Sequence, residues 1–531
     1  MPIEIVSGLA EGADTVATEV ALELGLAVRA VLPMPRRIYE ADFSGEALER
    51  FRALANDPRI QLEEIRLPDG SDADQVRDGS ARDALYARLM NYLVRRSNVL
   101  VALWDGEANG LQGGSSDVVI SYLAGSTEAR PDMSNVSVHE DDDLGDENGN
   151  VVVWIRCPRL SPAGKVDAID TSFLLSGGAR GLIVKRSEMP VPVLERWAGL
   201  DRYAIERFSG LGADVPTYPL SADGDAEVAP LCPAIDREYT RADQVAIANQ
   251  KQSDRLFKAS GIMAGTMGLL FLVYAKLAAL KIFLAGYVLV FALGFLIFML
   301  SLKKGWFGRH LAYRALAETM RTRFFVTLSG VGDRISFNRI LGSTSVDHFG
   351  GFEWLRDAIR CSEPLYYESD VPERTRLNAA RDRWISEQSG YFERKLHQLH
   401  SQHERLEKVK LLLFVAAFLG ALALLFFYKS ITSFEVAGLD GKTLLVFAMG
   451  LLPLWLAIWE IYQNKMATRE LLWQYSNQRA FFRSAAARLA NEIDDGARAE
   501  ITANLAERSL LETFQWTIHR FHREHEPPAA G

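Results

Sequence analysis

Two clusters of glycine, serine and aspartate hold the residue types of this 531-residue chain best suited to chemistry. The first is Ser7, Gly8, Gly12 and Asp14 in "SGLAEGAD". The second is Gly113, Gly114, Ser115, Ser116 and Asp117 in "GGSSD", with Trp104 and Asp105 a few residues upstream. Glycine lets a ligand come close to the main chain, and Gly8 and Gly12 are open to backbone angles that other residues avoid. Where such a turn opens a helix, the first-turn amides lack helical partners and favour a phosphate or carboxylate. The hydroxyls of Ser115 and Ser116 can help surround such an anion. Asp14 has two readings, a cap on the helix or a contact to a sugar hydroxyl. Trp104 also has two, a stacking partner for a base or packing beneath the loop. Neither cluster is a G-x-G-x-x-G dinucleotide fingerprint or a Walker loop, because the third glycine and the Gly-Lys-Ser/Thr step are missing.

The elements that must position these clusters are legible around them. The apolar run at 3–6 reads as a strand, "ADTVATEVALELG" as a helix closed by Gly25, and "LAVRAVLPM" as a second strand, together a βαβ unit of a parallel sheet. A further strand at 98–103 leads through a polar loop into the apolar helix that "GGSSD" opens. Ligands collect at the carboxyl ends of parallel strands, so both loops are expected at one edge with a nucleotide-like ligand between them. The run "HEDDDLGDENGN" reads as an unpackable surface loop or linker, and "VVVWIRCPRL" as a returning strand. The stretch from there to about residue 233 reads as an extension of the α/β domain.

Bulk properties exclude some classes. A net charge of −9 opposes direct nucleic-acid binding driven by phosphate neutralisation. Cys157, Cys232 and Cys361 are scattered, suit a reducing compartment and read as small buried hydrophobes. His397, His400 and His403 recur at three-residue spacing on what reads as a solvated helix face, so no metal site is expected. The first residues, with acidic groups and glycines, do not read as a signal peptide.

The second half changes character. Residues 260–275, 282–302, 411–428 and 443–459 are free of charged side chains, and the second of these runs has 21 residues, close to the ~20 a helix needs to cross a bilayer. Lys251, Arg255 and Lys258 precede the first run, and Lys303, Lys304, Arg309 and Arg314 follow the second. Arg405, Lys408 and Lys410 precede the third, and Lys465 and Arg469 follow the fourth. This bias predicts four membrane spans in two hairpins with both termini and all sizeable soluble parts in the cytoplasm. Gly265, Gly268, Gly286, Gly294 and Gly420 permit close helix contact, and Pro453 is expected to kink the fourth span. With no central carboxylate, arginine or histidine in any span, an ion-coupled transporter is disfavoured. Between the hairpins, Tyr313, Ala317, Met320 and Phe324 fall on one helix stripe, and "RWISEQSGYFERKLHQLHSQHERLEKVK" reads as a long helix feeding the third span.

Two resemblances sharpen this outline. "SGLAEGADTVATEVALELG", "VLPMPRRIYEADF" and "VALWDGEANGLQGGSSD" resemble the SLOG superfamily, Rossmann-like domains related to the DNA-uptake protein DprA and the LOG phosphoribohydrolases. The resemblance implies a nucleotide-like ligand held by Ser7, Gly8, Gly12, Asp14 and residues 113–117. Catalytic LOG enzymes carry P-G-G-x-G-T-x-x-E, whereas this chain reads "LQGGSSDVV", which puts hydrolase activity in doubt. Such domains also open with a further strand and a G-H-R-like loop that this chain lacks, so either the pattern is shortened or its start lies upstream. "YRALAETMRTRFF", "WISEQSGYF" and the paired spans are similar to SLATT two-helix membrane domains. That similarity implies an effector in the bacterial inner membrane that perturbs or perforates it on a nucleotide signal.

The expected architecture is therefore an α/β Rossmann-like domain at 1–130, a linker and α/β extension at 131–235, a helix and first hairpin at 236–302, a cytoplasmic helical region at 303–410, a second hairpin at 411–462 and a cytoplasmic helical tail at 463–531. The expected function is a membrane-anchored sensor of a nucleotide-like ligand, homo-oligomeric, without a cofactor. Two alternatives stay open: a membrane-tethered nucleotide or N-glycosidic hydrolase using Asp14, Asp105 or Asp117, and a non-catalytic membrane scaffold.

Overall fold

The computed structural model describes residues 3–67, 76, 79–106, 113–125, 138–140, 149–157, 170–176, 183–344, 346, 351–365, 370–436, 438–466 and 468–524. The chain divides into two compact units. One comprises Met1–Gly210, Pro219–Tyr239 and Glu318–Arg376; the other comprises Leu211–Tyr218, Thr240–Ala317 and Leu377–Gly531.

The first unit is mixed α/β and Rossmann-like. Strands β1 (Glu4–Ser7), β2 (Ala27–Leu32) and β3 (Ile60–Glu64) form a parallel sheet in that order, with helix α1 (Ala13–Glu23) crossing from β1 to β2. Gly25 ends α1 in the left-handed region at φ 68°, the helix stop that the sequence predicts. Helix α2 (Gly45–Ala55) precedes β3, and α3 (Gly79–Arg96) leads to β4 (Leu100–Trp104), one or two residues later than the predicted strand. Helix α4 (Ser115–Ala124) follows β4.

A second sheet starts at β4. Its order is β4, β6 (Val151–Arg156), β7 (Asp170–Ser176), β8 (Ile183–Arg186) and β5 (Val138–Glu140). The β4–β6 and β8–β5 pairs are parallel, whereas β6–β7 and β7–β8 are antiparallel. The expectation of a wholly unpackable acidic run is corrected at its start, because His139 and Glu140 pair with Val184 and Lys185; residues 141–148 lie outside the described residues. β-branched Val138 and the ladder supplied by β8 outweigh the local polarity there.

The α/β unit also takes in residues far along the chain. Helix α5 (Val191–Phe208) supplies Arg196, whose Nε donates to Asp357 at 3.0 Å, and both side chains are almost fully buried. On the 354–361 helix, Arg360 also lies over the Tyr122 ring of α4 at 5.4 Å. Arg323 pairs with Glu363 at 2.6 Å, again buried. Arg196–Asp357 and the Arg96 Nη1 hydrogen bond to the Glu363 carbonyl at 2.8 Å tie 318–376 to the earlier residues of this unit, and removing one member of a buried ion pair costs about 3–5 kcal/mol.

The second unit is helical. It is built from parts of α6 (Cys232–Lys276) and α8 (Trp306–Ser329), with α7 (Lys281–Lys304) between them. After α9 (Trp354–Cys361) in the first unit come α10 (Glu387–Phe426), α11 (Gly441–Met466), α12 (Thr468–Asn491) and α13 (Asp495–Glu524). The predicted spans fall within α6, α7, α10 and α11, although the third helix stops at Phe426 rather than Tyr428. The apolar stretches of the first three hold no buried residue, and that of α11 is 6% buried. A hairpin buried in a soluble core would hide these side chains; here they face outward, as lipid-facing helices do.

Glycines bring the four helices together. A Cβ on Gly294 would stand 2.7 Å from Met263, one on Gly420 3.2 Å from Met449, and one on Gly450 3.0 Å from Leu272; Gly268 faces Leu454 more closely still. Each contact lies within the chain. The small residues therefore have intramolecular work in α6, α7, α10 and α11.

Candidate functional site

The first glycine turn is a five-residue connection from β1 to α1. Its outlier is Leu9, a non-glycine residue with φ 53° and a side chain that is 1% exposed. A bulky left-handed residue costs about 1–2 kcal/mol and persists only where its surroundings dictate it. Gly8 does not take a positive φ, contrary to expectation; it is needed for close approach, because a Cβ there would stand 3.0 Å from both Asp14 Oδ2 and Leu89. Gly12 does take one, at φ 101° and ψ −112°, and caps α1 without a side chain.

Asp14 resolves its two readings toward holding the loop. Its Oδ2 accepts the Gly8 amide at 3.0 Å and the Ala10 amide at 3.4 Å. Ser7 Oγ accepts the Leu9 amide at 3.2 Å and donates to the Asp14 carbonyl at 3.3 Å, while Thr15 Oγ1 donates to the Ala10 carbonyl at 2.9 Å. Burial raises the Asp14 pKa above its usual value, opposed by the two amide hydrogen bonds.

The second turn repeats the plan at α4. Gly113, at φ 74°, donates its amide to Asp117 Oδ2 at 2.8 Å, and Gly114 caps the helix. Ser116 and Asp117 are buried, whereas Ser115 is exposed at the helix start. Residues 107–112 lie outside the described residues. Trp104 is 4% exposed and packs against Trp154 at 6.1 Å, whose indole donates to the Trp104 carbonyl at 3.0 Å. Of its two readings, packing beneath the loop is the one these contacts describe. Asp105 is partly buried at the end of β4.

No ladder joins β1 to β4 among the described residues, so the two turns meet by another route. Tyr39, in the short helix Arg36–Tyr39, donates its hydroxyl to the Gly8 carbonyl at 3.3 Å and packs edge-on against Tyr86 of α3 at 6.4 Å. A Cβ on Gly113 would stand 3.0 Å from the Tyr86 carbonyl carbon, so the second turn lies directly on that residue's backbone. Tyr86 in turn donates to Asp42 Oδ2 at 2.7 Å, and Arg82 pairs with Asp42. Burial drives both tyrosine hydroxyls well above their ordinary range, which keeps them neutral donors.

Tyr39 and Tyr86 are the residues that the motif reading missed. Tyr39 had a signal, since it lies just past β2 at the end of "PRRIY"; Tyr86 had none beyond a helix stripe. No family model, curated protein or solved structure matches this chain. The chemistry of the site is carried by its geometry: two helix starts capped by glycine, each with a first-turn aspartate that fixes the preceding loop. With Asp14 and Asp117 engaged by loop amides, Ser115 is the exposed hydroxyl at the start of α4.

The remaining candidates lie elsewhere. Cys361 is exposed, correcting the expectation of a buried residue, and its Sγ donates to Asn98 Oδ1 at 3.1 Å; Cys157 is partly buried and Cys232 buried. His400 reaches Glu404 at 3.1 Å on an exposed helix face. Among the described residues, no three His, Cys, Asp or Glu side chains are grouped to hold a metal ion.

Proposed function

We propose that this protein is a membrane-anchored sensor of a nucleotide-like, phosphate-bearing ligand. The observation that carries the reading is the paired construction of the two glycine turns, linked through Tyr39 and Tyr86, in the same chain as four outward-facing apolar helices. A phosphate would lie at the glycine-capped starts of α1 and α4, where the helix amides and Ser115 donate to it. The likeness of these segments to SLOG domains, and of the paired spans to SLATT domains, supports the same assignment. The two first-turn aspartates serve as loop braces in this account, which favours a sensor over a hydrolase.

Lysine and arginine at the borders of the spans support a topology with both termini inside the bacterial cytoplasm. A pore of four such spans lacks a polar interior within one chain, so membrane perturbation would require a homo-oligomer. The test is leakage of a trapped dye from liposomes holding the full chain, with nucleoside phosphates and dinucleotides added outside. Ligand-dependent leakage is the expected result. Binding of a nucleotide without leakage from any preparation would remove the effector half of the proposal and leave a sensor or scaffold.

A further inference from the structure

We propose that the turn between α10 and α11 is a lipid-embedded element that completes the apolar thickness of the second hairpin. The inference rests on the reading of α10 and α11 as membrane spans and assigns an interaction surface beyond it. One boundary of the hairpin is fixed by charge: Lys410 Nζ pairs with Glu460 of α11 at 2.5 Å and with Glu407 at 3.1 Å. From that pair, α10 runs only from 411 to 426 before it ends at Phe426. Sixteen residues at 1.5 Å each give about 24 Å, some 6 Å less than a hydrocarbon core of about 30 Å. The helix therefore stops inside the apolar layer, and whatever follows must present an apolar face to it and satisfy its own backbone.

The turn closes its own backbone and carries an apolar face, beside which the exposed side chains of Lys429 and Glu435 are long enough to reach the headgroups. Phe427, Phe434 and Val436 are 63%, 63% and 46% exposed, continuing the outward face of Phe426 at 72%. The backbone closes on itself: Ile431 N donates to Phe427 O at 3.0 Å, Ser433 N to Lys429 O at 3.2 Å and Gly441 N to Phe434 O at 2.7 Å. Thr432 Oγ1 and Ser433 Oγ donate to the carbonyls of Tyr428 and Ser430 at 2.9 Å each. Strands β9 (Glu435–Val436) and β10 (Leu439–Asp440) pair across the tip. Lys442 lies 5.3 Å from the Tyr428 ring with Nζ 3.2 Å from its hydroxyl, an aromatic and a cation placed together as at a headgroup boundary. The first hairpin differs in its second helix and in its turn. Helix α7 has 21 uncharged residues at 282–302, about 31 Å, and the 277–280 turn is only four residues long.

The occupant of this surface is the acyl–headgroup boundary of the bilayer that the spans cross. The experiment places a nitroxide at Phe434→Cys and, separately, at Ala448→Cys within α11, in a chain with Cys157, Cys232 and Cys361 replaced by serine, in vesicles of phosphatidylethanolamine and phosphatidylglycerol. Collision with oxygen is compared with collision with a water-soluble nickel chelate. Both labels are expected to favour oxygen severalfold. An aqueous signal at 434 with a lipid signal at 448 overturns this inference alone, whereas aqueous signals at both positions overturn the membrane reading on which it rests.

Discussion

The two glycine turns share a plan and differ in what constrains them. At α1 the aspartate holds two loop amides, and a side chain on Gly12 would meet nothing within 4 Å. At α4 the aspartate holds the Gly113 amide, and a side chain on Gly113 would meet the backbone of Tyr86 at 3.0 Å. Gly12 is thus required for its backbone angles alone, Gly113 for its angles and for space. Similar sequence signals conceal different physical demands.

The largest expected effect separates them. Gly113→Ala combines a left-handed alanine, about 1–2 kcal/mol, with overpacking against main chain, about 1–3 kcal/mol. Gly12→Ala carries only the conformational cost, about 1–3 kcal/mol. Opening free energies from hydrogen exchange in β1 to β4 should therefore fall further for Gly113→Ala. Equal losses would mean that Tyr86 yields and that the second turn is not held by it.

The braces sharpen the comparison through pH. A carboxyl whose pKa is raised by folding stabilises the fold while it is protonated. The Asp14 contribution is accordingly complete below its ordinary value of 3.8 and is lost as pH climbs through the raised value. Opening free energy at the first turn should decline over that rise in pH, and Asp14→Asn should abolish the decline. A slope that persists in the asparagine variant assigns it to another group.

Glu512 in α13 provides the contrast of a buried carboxylate without a brace to make. Both of its oxygens are buried with no hydrogen-bond partner, and burial alone pushes its pKa up to about 7. Its stabilisation is present below the ordinary 4.5 and lost as pH rises through about 7, so the helical unit should melt lower at pH 8 than at pH 6. Glu512→Gln is expected to shrink that difference. An unchanged difference would show that Glu512 is not its source.

Much of this arrangement was legible in local pattern. The alternation of β1, α1 and β2, the stop at Gly25 and the four apolar helices follow from side-chain periodicity and backbone freedom, which are properties of neighbours in sequence. The site was legible as residue types but not as contacts. Asp14 and Asp117 lie in first turns, and only the loop path decides that they turn back to Gly8, Ala10 and Gly113. Trp104 and Cys361 depended on what packs over them, Trp154 in one case and open solvent in the other. The placement of 318–376 in the α/β unit rests on contacts such as Arg196–Asp357 and Arg96 to the Glu363 carbonyl, pairs far apart in sequence that leave no mark in periodicity.

The central claim is that the helix starts receive an anion, and Ser115→Glu tests it most directly. Ser115 is the exposed first residue of α4, where a glutamate suits the helix dipole and leaves the fold intact, yet sets a negative charge where a phosphate would lie. Isothermal titration of the full chain in nanodiscs, with nucleoside mono-, di- and triphosphates and dinucleotides, is predicted to give binding to at least one of them and its loss in Ser115→Glu at unchanged melting temperature. Equal affinity in the two proteins, or no binding by the native chain across that panel, would contradict the account.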